Sequence, residues 1–179
     1  FVRYKLAKGD VCSLDNALTF CILFLLEGKV SVTYGAECNT VLGKNKMLII
    51  PQRVENKITT LQLTHCLVLF WDGDIGFCNE MYIQALNNTD AKMKPCFPLT
   101  VRQPILKVLL SISYYLKARL QCKHMNQLKQ NEFLLVLRGF YSKKELAGFF
   151  APVSYKDTNF ESFVLKNYTN VKTTKEFAD

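Results

Sequence analysis

The sequence predicts an α+β protein, with strands gathered in its first half and helices in its second. Three observations lead there. Short apolar or alternating runs separated by Gly-bearing turns fill residues 1 to about 75, the spacing of an antiparallel sandwich or small barrel. Apolar residues from Pro104 onward recur with the 3.6-residue period of a helix. Three Ser/Thr-x-x-Glu capping signals then follow. With 49% apolar and 21% charged residues over 179 positions, the chain is globular and of the size of one good-sized domain, or one plus part of another.

The strands come first. Leu18 to Leu26 (LTFCILFLL) is apolar at consecutive positions, as a strand buried between two layers must be. Glu27-Gly28-Lys29 is a turn, and Val30, Val32 and Tyr34 then alternate with Ser31 and Thr33 in a half-buried partner. Gly43 to Lys46 marks the next turn, and Met47 to Ile50 is a strand ended by Pro51, which has no N–H for a ladder. Lys57 to Leu63 and Cys66 to Trp71 read as two more strands. Asp72 to Pro98 is irregular, with a short element expected over Cys78 to Leu86.

The helices follow. Pro104 to Gln121 carries Ile105, Val108, Leu109, Ile112, Tyr115, Leu116 and Leu120 on one face and a second apolar stripe, Leu106, Leu110 and Tyr114, on another. One sheet covers only one stripe, so the pattern predicts two partners. The β-rich segment is one; the next helix or a second copy of the chain is the other. His124 to Tyr141 is apolar all round at Phe133 to Leu137. Ser142-Lys143-Lys144-Glu145 caps a helix over Lys143 to Phe150. Thr158-Asn159-Phe160-Glu161 and Thr173-Thr174-Lys175-Glu176 open two further helices.

Charge and cysteines narrow the function classes. The net charge is +8, but no run of five Lys or Arg occurs, so the sequence reads as basic without a nucleic-acid tract. Seven cysteines at irregular spacing, with no Cys-x-x-Cys, fit buried thiols in a reducing, cytoplasmic compartment; Cys122, beside Lys123 and His124, is read as an inert thiol too. The longest apolar run, Ala17 to Leu26, falls well short of the roughly 20 residues of a membrane span.

Catalytic and metal signatures are sparse. His65 and His124 are the two histidines, and neither has a His, Cys or carboxylate at ligand spacing. No metal site, cofactor or catalytic residue is expected. The alternating strands carry Phe20, Tyr34, Gln62, His65 and Trp71, aromatic faces with polar tips that suit a small-molecule pocket. They suit an ordinary core equally well.

The turn through Leu-Glu-Gly-Lys-Val-Ser-Val, the Leu-Ile-Ile-Pro strand, the two long helices and the closing Phe-Val-Leu-Lys-Asn-Tyr…Val-Lys-Thr-Thr-Lys-Glu-Phe-Ala-Asp together resemble AraC-type (AraC/XylS) transcriptional regulators. The last stretch is the most specific, Lys172 to Ala178 matching the segment that opens the family's first helix-turn-helix. The resemblance implies an antiparallel, cupin-like β-barrel of jelly-roll type over residues 1–99, a helical dimerisation segment over 100–152, and the truncated start of a helix-turn-helix domain over 153–179. It implies a homodimer, with Ile105, Leu109, Ile112, Tyr115, Leu116 and Leu120 at the interface. Operator DNA would be read by recognition helices beyond Asp179, leaving Lys172 and Lys175 as weak contacts. A sugar or other metabolite would serve as effector in the barrel. On this reading the chain is a fragment of a longer protein, regulatory and not an enzyme. The alternative is a metal-independent cupin-fold sugar isomerase or epimerase, which requires an acid/base pair inside the barrel. A third reading is a ligand-free scaffold, marked by a barrel interior filled with side chains.

Overall fold

A computed structural model gives the fold and describes residues 1–16, 19–36, 38–71, 96–120 and 122–154. Nine strands and three helices are found among them. The strands are β1 (Val2–Leu6), β2 (Val11–Cys12), β3 (Cys21–Glu27), β4 (Lys29–Tyr34), β5 (Cys38–Gly43), β6 (Lys46–Ile50), β7 (Asn56–Thr60), β8 (Thr64–Phe70) and β9 (Leu99–Thr100). The helices are α1 (Gln103–Lys117), α2 (Lys123–Phe140) and α3 (Lys143–Ser154).

The strands form two antiparallel sheets. One has the order β1-β8-β3-β6-β9 and the other β2-β7-β4-β5. They face each other across a core of Leu23, Leu25, Leu48, Ile50 and Val68 from the first sheet and Val30, Val32, Leu42 and Ile58 from the second. The helices cover the opposite side of the five-stranded sheet, where Ile22, Phe24, Met47, Ile49, Leu67 and Leu69 meet Ile105, Leu109, Ile112, Phe133, Leu137 and Phe149. The molecule therefore has three layers, sheet, sheet and helices. β3 lies in the middle one, and Cys21 through Leu25 are all buried. In β4, Val30, Val32 and Tyr34 turn inward while Ser31 and Thr33 are only partly covered. Both patterns are those the sequence predicts.

Gly28 joins β3 to β4 with φ +88, and a Cβ there would lie 2.3 Å from the Leu63 carbonyl oxygen. Only glycine fits both the backbone and the space. The close approach lets Leu61 and Gln62 N–H groups donate to the Lys29 carbonyl at 2.8 and 3.2 Å, clasping the β3–β4 and β7–β8 turns together.

Several boundaries differ from the sequence reading. β1, β2, β5 and β9 lack a sharp apolar signature; two of them have only two residues, β1 has no buried residue, and β5 has only Cys38 and Leu42 buried. α1 ends at Lys117, short of Gln121, because Arg119 takes a left-handed φ of 59. Leu120 thus falls outside the helix. α3 runs past Phe150 through Pro152 to Ser154. A proline in a last turn forfeits one N–H bond without ending the helix there. The expected capping box is present: Ser142 N–H donates to Glu145 Oε2 at 2.8 Å and Glu145 N–H to Ser142 Oγ at 3.3 Å. The element expected over Cys78 to Leu86, the boxes at Thr158 and Thr173, and Lys172 and Lys175 lie outside the described residues.

Arg102 ties the helical layer to the sheet. Its backbone N–H donates to the Tyr141 hydroxyl at 2.9 Å, and that hydroxyl donates to the Thr100 carbonyl at 2.7 Å. Its guanidinium lies over the Tyr141 ring, bonds the Phe140 carbonyl and pairs with Glu145 at 2.7 Å. The β9–α1 junction and the α2–α3 turn are thereby one unit.

Candidate functional site

The five residues expected to line a pocket go to four separate places. Phe20 and Trp71 stack with ring centroids 5.4 Å apart, joined by a Trp71 N–H to Phe20 carbonyl bond of 3.0 Å. Both belong to the core between the five-stranded sheet and the helices. Trp71 Nε1 is buried there without a hydrogen-bond partner. Tyr34 lies in the other core, between the sheets, where burial pushes its hydroxyl up to about 12. Gln62 is exposed in the β7–β8 turn. The expected shared pocket is therefore corrected. The side-chain alternation that put all five on inward positions cannot tell the two faces of a sheet apart when both are covered.

His65 has a partner that sequence spacing did not show. A register shift between Leu25 and Glu27 brings Glu27 opposite His65, and Nδ1 of the histidine lies 3.3 Å from Glu27 Oε2. Nε2 is buried without a partner. The alternative reading needs an acid/base pair inside the barrel. This one sits at the end of β3 and β8, with His65 in register with Leu67 and Leu69 on the helix side, and with Glu27 largely exposed.

The gap between the sheets is occupied by the protein's own side chains. Most described residues facing it are aliphatic, aromatic or thiol-bearing, but Asn56 and Thr60 share the inward face of Ile58 on β7 and are buried with it, and the Thr60 hydroxyl has no hydrogen-bond partner there. Cys21 and Cys66 are part of this filling, and burial pushes both thiols up to about 12, so they are protonated and unreactive at neutral pH. Among the described residues no group of three His, Cys, Asp or Glu side chains is placed to hold a metal ion. Cys122 is exposed and caps α2, its Sγ accepting from the Met125 N–H at 3.4 Å.

Two further expectations change. Cys38 and Cys96 are joined in a disulfide across 58 residues of sequence, so the thiols are not all reduced, and the support they gave to a cytoplasmic location falls away. No helix among the described residues is long and apolar enough to cross a membrane.

The interface residues are redistributed as well. Ile105, Leu109 and Ile112 are at most 3% exposed within their own subunit, and Tyr115 and Leu116 are half-buried. These residues face the sheet and α2, so they are not a free interface. What α1 presents outward is the other stripe: Leu110 is 55% and Tyr114 70% exposed, beside a half-buried Leu106.

Two sheets packed face to face with a helical layer on one of them make an α+β, cupin-like domain. Solved structures similar to the chain share that class. The oxalate decarboxylase of Bacillus subtilis is 19% identical with a TM-score of 0.37, over 41% of this chain and 21% of its own. A cupin superfamily protein from Desulfitobacterium hafniense is 17% identical with a TM-score of 0.36, over 39% of this chain and 64% of its own. KdgF from a Halomonas species is 15% identical with a TM-score of 0.33, over 37% and 60%. The chain thus spans about a fifth of the decarboxylase. No family model and no curated protein matches the chain. The expectation that the chain is not an enzyme is withdrawn, since similar structures include an oxalate decarboxylase. At these TM-scores no substrate, metal or residue role passes from them to this chain.

Proposed function

We propose that this chain is the regulatory front end of an AraC-type transcriptional regulator, in which the β-sandwich acts as a filled scaffold that displays the helical layer. The carrying observation is the contrast within α1: Ile105, Leu109 and Ile112 are spent on the subunit's own core, while Leu110 and Tyr114 stay exposed. A helix with apolar surface left over after folding has a further contact to make. The filled gap between the sheets favours signalling through that surface over an effector held inside the barrel. A homodimer of the regulator cannot be built on Ile105, Leu109 and Ile112, which are already buried in the subunit's own core. Operator reading belongs to recognition helices beyond Asp179, and a cytoplasmic setting goes with that role.

The test is a mobility shift. The chain extended past Asp179 to its natural terminus retards promoter DNA from its own locus, and the 179-residue chain does not. Failure of the extended protein to bind any DNA at low salt, where phosphate contacts are strongest, would sink the reading. The isomerase alternative loses ground because Glu27 and His65 meet outside the inter-sheet gap.

A further inference from the structure

The positive charge of this protein is concentrated in its helical layer, without any local run of Lys or Arg. Residues 101–154 hold nine Lys and Arg against two carboxylates, net +7 of the chain's +8. Both carboxylates are already engaged, Glu132 with Lys129 at 2.6 Å and Glu145 with Arg102 at 2.7 Å. Lys107, Lys117, Arg119, Lys123, Lys143 and Lys144 are all exposed.

The helical periodicity interleaves these charges with exposed apolar side chains. On α1 the outward row is Lys107, Leu110, Tyr114 and Lys117; on α2 it is His124, Leu128, Asn131, Leu135 and Arg138. Leu128 and Leu135 are 65% and 63% exposed. The α1 row has an apolar middle between two lysines, and the α2 row carries two exposed leucines on either side of Asn131. α2 packs beside α1, with Lys129 Nζ 5.3 Å from the Tyr115 ring. The two rows therefore run along neighbouring helices.

We propose that this surface docks an acidic amphipathic helix of a partner protein. Its apolar face would lie on Leu110, Tyr114, Leu128 and Leu135, and its carboxylates would meet Lys107 and Lys117. Two adjacent helices offering anchors at i, i+3, i+4 and i+7 spacing are the receiving half of a helix-in-groove contact. The flanking cations select the sign of the partner. A second copy presents the same +7 layer, so its apolar gain is opposed by like charge across the interface. Nucleic acid satisfies lysines through phosphates but gives exposed leucines nothing to pack on. The inference stands whether or not a DNA-binding domain follows Asp179.

Fluorescence anisotropy of the whole 179-residue chain tests it. The probe is a labelled amphipathic peptide of about 16 residues, four to five helical turns, with Leu on one face and Glu elsewhere. The control replaces every Glu by Lys. The Glu peptide binds in the micromolar range and weakens as salt is raised, while the Lys peptide binds at least about tenfold more weakly. The Leu110→Gln/Leu135→Gln and Lys107→Glu/Lys117→Glu variants each lower affinity about tenfold with the melting temperature unchanged, since all four sites are exposed. Any of four results overturns the proposal. These are equal affinity for the two peptides, no binding near 1 mM, tighter binding to duplex DNA or to phosphatidylserine vesicles, or a concentration-dependent dimer that the Leu110→Gln/Leu135→Gln change dissolves.

Discussion

β3 and β4 are neighbours in sequence, separated by a single glycine, yet they live in different surroundings. β3 is in the middle of three layers, so Leu23 and Leu25 pack toward the second sheet while Ile22 and Phe24 pack toward the helices. β4 is in the outer sheet, and only Val30, Val32 and Tyr34 are covered. The two cores differ in kind as well. The inter-sheet core is mostly aliphatic and thiol. The sheet–helix core is rich in aromatic rings, with Phe24 edge-on to Phe133 at 5.3 Å and Phe149 edge-on to Phe150 at the same distance. Sheets stack with a spacing of about 10 Å that medium side chains fill, whereas helices resting on a twisted sheet leave irregular gaps that aromatic rings can fill.

The sharpest way to break this comparison is to remove a ring from β3. Phe24→Ala costs about 3–5 kcal/mol in urea unfolding, while Ser31→Ala on β4 stays within about 0.5 kcal/mol. Similar costs at the two sites would mean that the helices do not cover the sheet as described. A double-mutant cycle with Phe133→Ala isolates the ring contact, about 0.5–1.5 kcal/mol beyond burial.

Among the described residues no helix packs on the outer sheet, but Cys38 on β5 fixes it covalently to Cys96. Cys38→Ser is expected to cost about 2–4 kcal/mol through the freed loop. Adding reductant to the native protein should have the same effect, and the variant should then be indifferent to reductant. Two more free thiols than expected in the denatured, unreduced native chain would refute the bridge.

The smallest effect concerns the helical layer's own fastening. Glu145 is held below its ordinary value of 4.5, chiefly by the Ser142 N–H and hydroxyl and less by Arg102. A carboxyl lowered in the folded state adds stability above its unfolded pKa, and that stability is lost as pH falls through the folded value. Glu145→Gln keeps the capping box but removes its charge, and should therefore cost about 0.3–1 kcal/mol at neutral pH. The gap to the native protein should close in acid, as both become neutral. A gap that persists well below pH 4.5 would assign the effect to packing instead.

Much of this was legible in the chain. The unbroken apolar run of β3, the alternation of β4, the Pro51 stop and the Ser142 capping box each predicted their structure, because each is a short-range requirement of backbone geometry or burial. β1 and β5 escaped notice because partly exposed strands carry little apolar signal. The exposure of Leu128 and Leu135 is not legible in the sequence, since a helix apolar all round near Phe133 gives no sign of which side is covered. The basic bias of residues 101–154 was equally present in the sequence, but its nine cations are spaced along three helices, so no local run drew attention to it.

Composition and periodicity alone determined the order of strands before helices, the doubly buried strand, and the two-stripe character of α1. Only the tertiary structure decided which stripe of α1 was used inside, that Phe20 and Trp71 belong to a different core from Tyr34, and that a bulge sets Glu27 beside His65. The reason is that periodicity reports how many faces of an element are apolar. It carries no information about which neighbour covers each face, and that choice is made when the layers pack.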